Sequence, residues 1–229
     1  MSEHGDGSSS EEAAAFPDHG AEQAQRALAD ATRRVIEEVR TTRAPAAVIE
    51  AARQSLLEAA RILAPHRHEG GHAQAHLLGG FGRFGQTDDP MEYFPYSPFI
   101  GRGNPLALPV VFTVVDGTVR GRATFTPAYC GPPNHVHGGV VAAVFDELLG
   151  TVNVVNGLGA MTGTLTVRYR KPTPLLAEIT MEGRPAGSSG RKVFAEGTMW
   201  HGETLLAEAE GVFIRVTEPL RDKLIGPGA

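Results

Sequence analysis

The sequence predicts an α+β domain in which a curled antiparallel sheet wraps one buried helix. Three observations carry that expectation. The run Val140-Val141-Ala142-Ala143-Val144-Phe145, continuing to Leu148-Leu149, is apolar on nearly every side, as a helix enclosed by other elements must be. Asp116-Gly117, between Val110–Val115 and Val119–Phe125, is a strong two-residue hairpin turn. After the helix come four strand-like segments with short connections, which makes them antiparallel.

In chain order, residues 1–20 combine Gly, Ser, Glu and Asp with almost no apolar anchors and read as a disordered tail. Residues 21–64 read as a helical hairpin. Leu28, Ala31, Val35, Ile36 and Val39 recur at helical spacing, and after Ala44-Pro45 the pattern resumes with Val48, Ile49, Ala52, Leu56, Leu57, Ala60 and Leu63. Such an arm would cover a sheet or a partner subunit. Residues 65–103, rich in Gly, His, Pro and aromatic side chains, form an irregular linker in which Phe94, Tyr96 and Phe99 pin the chain or line a pocket. Residues 104–217 form the domain: the Asp116-Gly117 hairpin, a helix from His137 to Asn153, then strands over Met161–Arg170, Leu176–Arg184, Arg191–His201 and Leu205–Val216. Pro172-Thr173-Pro174, Pro185 to Gly190, and His201-Gly202-Glu203 connect those strands, and residues 218–229 are a C-terminal tail.

With 229 residues, 41% of them hydrophobic, the chain can bury a sizeable core. Its net charge of -5 argues against a general nucleic-acid partner, which selects a basic surface. No apolar run reads as long enough to insert in a membrane. The acidic start lacks the features of a secretory signal, and the single Cys130 fits a reducing compartment, so the expected location is cytoplasmic.

Asp146 lies inside the apolar helix, where a carboxylate costs several kcal/mol unless it is hydrogen-bonded or useful. Just before it, Pro132 and Pro133 stop regular structure, and Gly138-Gly139 leave the first helical N–H groups uncovered. Such amides at the positive end of a helix suit a developing oxyanion, and glycine lets a carbonyl approach closely. Donor and carboxylate together suggest acyl transfer or hydrolysis. At 1.5 Å per residue, however, the Gly138 amide and Asp146 are about 12 Å apart along the axis. Antiparallel helices of a symmetric homodimer, each supplying one half, would give two composite sites.

Three other patterns carry no chemistry. His68-Glu69-Gly70-Gly71-His72 spells a zinc-protease string, but two internal glycines cost the required helix about 2 kcal/mol, and no metal site is expected. Gly80-Phe81-Gly82-Arg83-Phe84-Gly85 follows no strand and opens no helix, so it is not a dinucleotide fingerprint. Cys130 near His135 and His137 sits in a proline-bounded turn, a poor place for a thiol nucleophile.

The region from about Asn104 to Val216 resembles the hot-dog-fold acyl-CoA thioesterases of the PaaI type. The resemblance rests on Gly131-Pro132-Pro133 with Val136-His137-Gly138-Gly139 and Asp146, on Met161-Thr162 with Arg168, Tyr169, Lys171-Pro172 and Pro174, and on Gly190-Arg191-Lys192 with Val193-Phe194. It covers about half the chain and leaves out the helical extension. It implies a hot-dog fold, hydrolysis of acyl-CoA with coenzyme A as part of the substrate and no separate cofactor, and a homodimer that could pair into a dimer of dimers. Residue by residue, it makes Asp146 the catalytic carboxylate, as nucleophile or as general base for water. Thr162 supports it, Gly138 is the oxyanion amide from the opposite subunit, and His137 orients the entry loop or caps the helix. Asn134 and Gly139 are candidates for contacting substrate. Ser189, Gly190, Arg191 and Lys192 offer a hydroxyl, amides and cations suited to the phosphates or pantetheine arm of coenzyme A.

Strict alternation would turn Thr162 away from the face of Leu165, Val167 and Tyr169, and Gly163 is where a bulge would restore it. Glu147 stands about 100° round the helix from Asp146, so one carbonyl cannot face both carboxylates. Two further readings remain: an acyl-thioester hydratase or dehydratase pairing His137 with Asp146, and a non-catalytic acyl-CoA-binding protein.

Overall fold

The computed structural model describes residues 19–67 and 88–216. The histidine and glycine strings refused above and the C-terminal tail lie outside those residues, while His19 and Gly20, expected in the first tail, open a helix. The elements are α1 (His19–Thr41), α2 (Ala46–Leu63), β1 (Val110–Val115), β2 (Thr118–Thr124), α3 (Gly138–Val155), β3 (Ala160–Tyr169), β4 (Glu178–Ser189), β5 (Lys192–His201) and β6 (Thr204–Arg215). The six strands form one antiparallel sheet in the order β1-β2-β4-β5-β6-β3, and α3 packs across it. This is the expected α+β architecture, the hot-dog arrangement of a sheet curled around one helix.

Local chemistry explains the elements. Asp116 (φ 50°) and Gly117 (φ 73°) take the left-handed conformations that a two-residue hairpin demands, and Val115 faces Thr118 across the turn. On α3, Val141, Val144, Phe145, Leu148, Leu149 and Val152 are all at most 1% exposed. Close approach of that helix depends on missing side chains in the sheet beneath it. A Cβ at Gly183 would lie 2.9 Å from Leu148 Cγ, and one at Gly197, its neighbour in the β4–β5 register, 3.2 Å from Leu149 Cδ2. The sheet floor is thus shaped to the helix's leucines. By length and composition α3 could also cross a bilayer, which corrects the expectation that no run reaches that size. Its apolar residues are instead spent on the core.

One boundary and one packing expectation differ from the sequence reading. The Pro185–Gly190 stretch, read as a connection, is mostly strand: the β4–β5 register shifts between Pro185 and Gly187, leaving Ala186 as the extra residue, and pairing resumes to Ser189 opposite Lys192. A bulge tolerates the missing proline N–H. In the extension α1 and α2 both form, but every residue of α2 is exposed, so its apolar positions are not buried against α1 or the sheet.

α1 is fastened to the domain and to the segment that precedes it. Arg26 pairs with Glu92 at 2.5 Å, Arg33 donates to the Asn104 carbonyl at 2.5 Å, and the Thr126 hydroxyl donates to Glu37. Residues 88–104 are irregular apart from a short 3-10 turn at Pro90–Glu92, yet Met91 and Ile100 are buried in the common core. The outer face of the sheet carries cross-strand ion pairs: Arg168–Glu210, Arg170–Glu208 and Arg184–Glu196. Their exposure to solvent leaves each of them little weight in stability.

Candidate active site

The start of α3 is assembled by a returning loop. The Pro132 carbonyl accepts from His135 N at 3.0 Å, with Pro133 and Asn134 (φ 65°) at the centre, which is a type II turn. Val136 N donates to Thr173 O at 2.8 Å and Leu175 N to Asn134 O at 3.0 Å, so the proline-rich β3–β4 connection braces the entry loop. Asn134 therefore supplies a turn conformation and an exposed side chain.

His137 is the N-cap of α3. Its Nδ1 accepts from Gly139 N at 3.0 Å, which puts the imidazole proton on Nε2. Val140 N and Val141 N both turn back to the His137 carbonyl. Among the described residues nothing accepts from the Gly138 N–H, so of the two glycine amides Gly138 is the one left open. Tyr169, at the far end of β3, donates its hydroxyl to the Gly138 carbonyl at 2.9 Å. A Cβ at Gly138 would sit 3.6 Å from that ring, an ordinary contact. The fold of its own chain does not require glycine there.

Two turns down the helix, Asp146 is partly buried, and Thr162 Oγ1 donates to its Oδ1 at 2.9 Å. The hydroxyl gets there through an irregularity: Thr162 pairs with Phe213 and Thr164 with Val212, so Gly163 is the extra residue that turns Thr162 to the helix. A Cβ at Gly163 would crowd Ile214 Cγ1 at 3.1 Å and the Val212 carbonyl at 3.2 Å.

The next residue, Glu147, has a different environment. Ser97, itself only 7% exposed, donates its hydroxyl to Glu147 Oε1 at 2.9 Å. Burial pushes the Glu147 carboxyl up from 4.5 to about 6, with the Asp146 charge adding to the rise and the Ser97 bond opposing it. Because the folded-state value is raised, this group's contribution to stability is complete below pH 4.5 and is lost as pH climbs through about 6. The loss amounts to about 2 kcal/mol. Glu147→Gln, neutral at every pH, should therefore melt higher than wild type at pH 7.5, with that gain shrinking towards pH 4.5. Thermal melts of both proteins at the two pH values measure it, and an equal difference at both would contradict the assignment.

The structure thus brings Asp146 and Thr162 together and leaves Gly138, Gly139 and His137 at the other end of the helix segment, about 12 Å away along the axis. Ser189, Gly190, Arg191 and Lys192 form the exposed β4–β5 turn, with Gly190 at φ 57°. Met161 pairs with Ile214, which also pairs with Lys192, so this turn lies two strands from the start of β3, roughly 10 Å by strand spacing. Among the described residues no group of three potential metal ligands comes together. Sequence reasoning missed two contacts. The alternation that places Leu165, Val167 and Tyr169 on one face could have flagged Tyr169, whereas nothing local to Ser97 signals a partner fifty residues away.

A family model described as the Thioesterase superfamily matches residues 133–208, a span that includes Gly138, Asp146, Thr162 and the β4–β5 turn. The acyl-coenzyme A thioesterase THEM4 of Mus musculus is 36% identical over 88 residues, which are 38% of this chain and 38% of that protein. Its counterpart in Xenopus laevis is 35% identical over 88 residues, 38% of this chain and 40% of that protein. The chain therefore spans about two fifths of the length of these curated relatives. A crystal structure of a thioesterase superfamily protein aligns with a TM-score of 0.69 and 33% identity, covering 83% of this chain and 94% of its own. Matched across nearly the whole of that structure, and matching the family model over 133–208, the chain belongs to the thioesterase superfamily.

Proposed function

We propose that the protein hydrolyses acyl-CoA thioesters as a homodimer with two composite sites. The observation that carries this reading is the Thr162–Asp146 hydrogen bond of 2.9 Å, which holds an acidic side chain ready on a largely apolar helix. The match to proteins named acyl-coenzyme A thioesterase supports the substrate class. In the reaction, water and thioester give a carboxylic acid and the free thiol of coenzyme A. Asp146 attacks the carbonyl carbon or takes the proton from an attacking water, and Thr162 fixes the carboxylate orientation. As the tetrahedral centre forms, the open Gly138 amide of the second subunit stabilises its oxyanion.

The dimer follows from distance, since hydrogen bonds of about 3 Å cannot join one carbonyl to groups about 12 Å apart. β3 also lies at the sheet edge with Met161 and Tyr169 about half exposed, a surface suited to pairing with a second copy. The exposed Ser189-Gly190-Arg191-Lys192 turn offers cations and amides for the phosphates of coenzyme A. His137 is a poor partner for hydration chemistry, because its Nδ1 is engaged by Gly139 and it lies nine residues before Asp146. Incubation with a panel of acyl-CoAs from short to long and aromatic, with continuous detection of free thiol, tests the proposal. Thiol release from at least one member is the expected result, and tight binding without release across the panel would favour a non-catalytic acyl-CoA-binding protein.

A further inference from the structure

We infer that Glu147 and Ser97 form a positioning pair that fixes the rotation of α3 about its axis, and with it the aim of Asp146; the inference rests on the hydrolytic reading of Asp146 given above. Consecutive residues of the helix point about 100° apart, and each of the two carboxylates accepts from one hydroxyl at 2.9 Å. Thr162 holds Asp146 on the β3 side, and Ser97 holds Glu147 on the side of residues 88–104. The helix is thus pinned at two points of one turn.

The Ser97 hydroxyl is itself fixed. Its oxygen accepts from Phe99 N at 3.1 Å and from Ile100 N at 3.4 Å, so its single proton is committed to Glu147. The backbone around it is closed by Ser97 N to Phe94 O at 2.9 Å and Gly101 N to Ser97 O at 3.0 Å, and Asn104 Nδ2 bonds Tyr96 O at 2.9 Å. Arg33 then ties Asn104 and Arg102 to α1. A continuous set of contacts runs from the N-terminal helix through residues 88–104 to the turn of α3 that carries Asp146.

Packing alone would not select this pair. An apolar side chain at position 147 would avoid the burial that pushes Glu147 to about 6. The charged group facing Glu147 is Asp146 on its own helix, and residues 88–104 present the Ser97 hydroxyl rather than a cation. What the pair supplies is direction: a side chain some 6 Å from the helix axis moves by about 1 Å for a 10° rotation, a displacement of the size that costs about 100-fold in rate.

Steady-state kinetics with an acyl-CoA that the wild type hydrolyses, read as kcat and KM separately, provide the test. Ser97→Ala and Glu147→Met should each lower kcat tenfold or more with KM within about threefold. Glu147→Gln, which still accepts from Ser97, should lose clearly less than Glu147→Met. The double variant Ser97→Ala/Glu147→Met should be no slower than the slower single variant, since both break one contact. Losses that multiply in the double variant, or a Ser97→Ala kcat within twofold of wild type, would overturn the inference. A readout independent of turnover is the carbon-13 signal of the Glu147 carboxyl, which should titrate near 6 in wild type and higher in Ser97→Ala. If the titration behaves so but the wild type releases no thiol from any acyl-CoA, the hydrolytic reading fails while the contact stands; if thiol is released and the titration is unmoved by Ser97→Ala, the pair fails alone.

Discussion

Asp146→Asn should reduce thioester hydrolysis by about 1,000-fold or more while leaving the protein folded. The size follows from role: a positioned base contributes about 10²–10⁴ in rate, and a nucleophile more, because its loss removes the covalent route altogether. Folding is spared because asparagine keeps an oxygen that can accept from Thr162 at the same place, and the surrounding core residues Phe145, Leu148 and Leu149 are untouched. Free-thiol release measures the first half of the expectation and a thermal melt the second. A variant with unchanged turnover would remove Asp146 from the chemistry; one that is inactive and also melts far below wild type would show that the carboxylate had been holding the fold.

Gly138→Pro is expected to cost about 10²–10³ in kcat. Proline is the one substitution that deletes the proposed oxyanion donor yet suits the position. Gly138 is the first helical residue, where proline is well accommodated, and His137 already has the extended conformation (φ -62°, ψ 134°) that a following proline requires. The ordinary 3.6 Å clearance to Tyr169 leaves room for added carbon. Mixing the two inactive variants then tests whether the site is shared. In a heterodimer of Asp146→Asn with Gly138→Pro, one site receives an intact amide and an intact carboxylate and the other receives neither. A statistical mixture should regain about a quarter of wild-type activity. No recovery in a mixture shown to contain heterodimers would place both groups in one chain's site and refute the shared arrangement.

Much of this was legible along the chain because the signals are local. Asp116-Gly117 specifies its turn through backbone conformation, and α3 announces itself by a run of apolar residues suited to an enclosed helix. Thr162 shows where locality ends. Simple alternation turns it the wrong way, and only Gly163, opposite the crowded Val212 carbonyl and Ile214, marks the bulge that turns it back. β4 runs longer than its sequence suggests because Pro185 and Gly187 look like a turn but serve as a bulge within the strand. The Ser97–Glu147 contact was not legible at all, since it joins a segment without periodicity to a helix fifty residues later. For α2 the amphipathic pattern specifies a helix but not its neighbour, and the hairpin expected from it leaves that helix without a buried residue.

The glycine floor under α3 limits where the proposed thioesterase could alter its substrate preference. A Cβ at Gly183 or Gly197 would press on Leu148 or Leu149, so added carbon there must push those side chains aside. Gly150 is the contrary case: one turn beyond Asp146, an added Cβ would meet nothing within 4 Å. A side chain can therefore be added at Gly150 without displacing anything in its own chain, and under the proposed hydrolysis a search for altered acyl-chain preference should begin there.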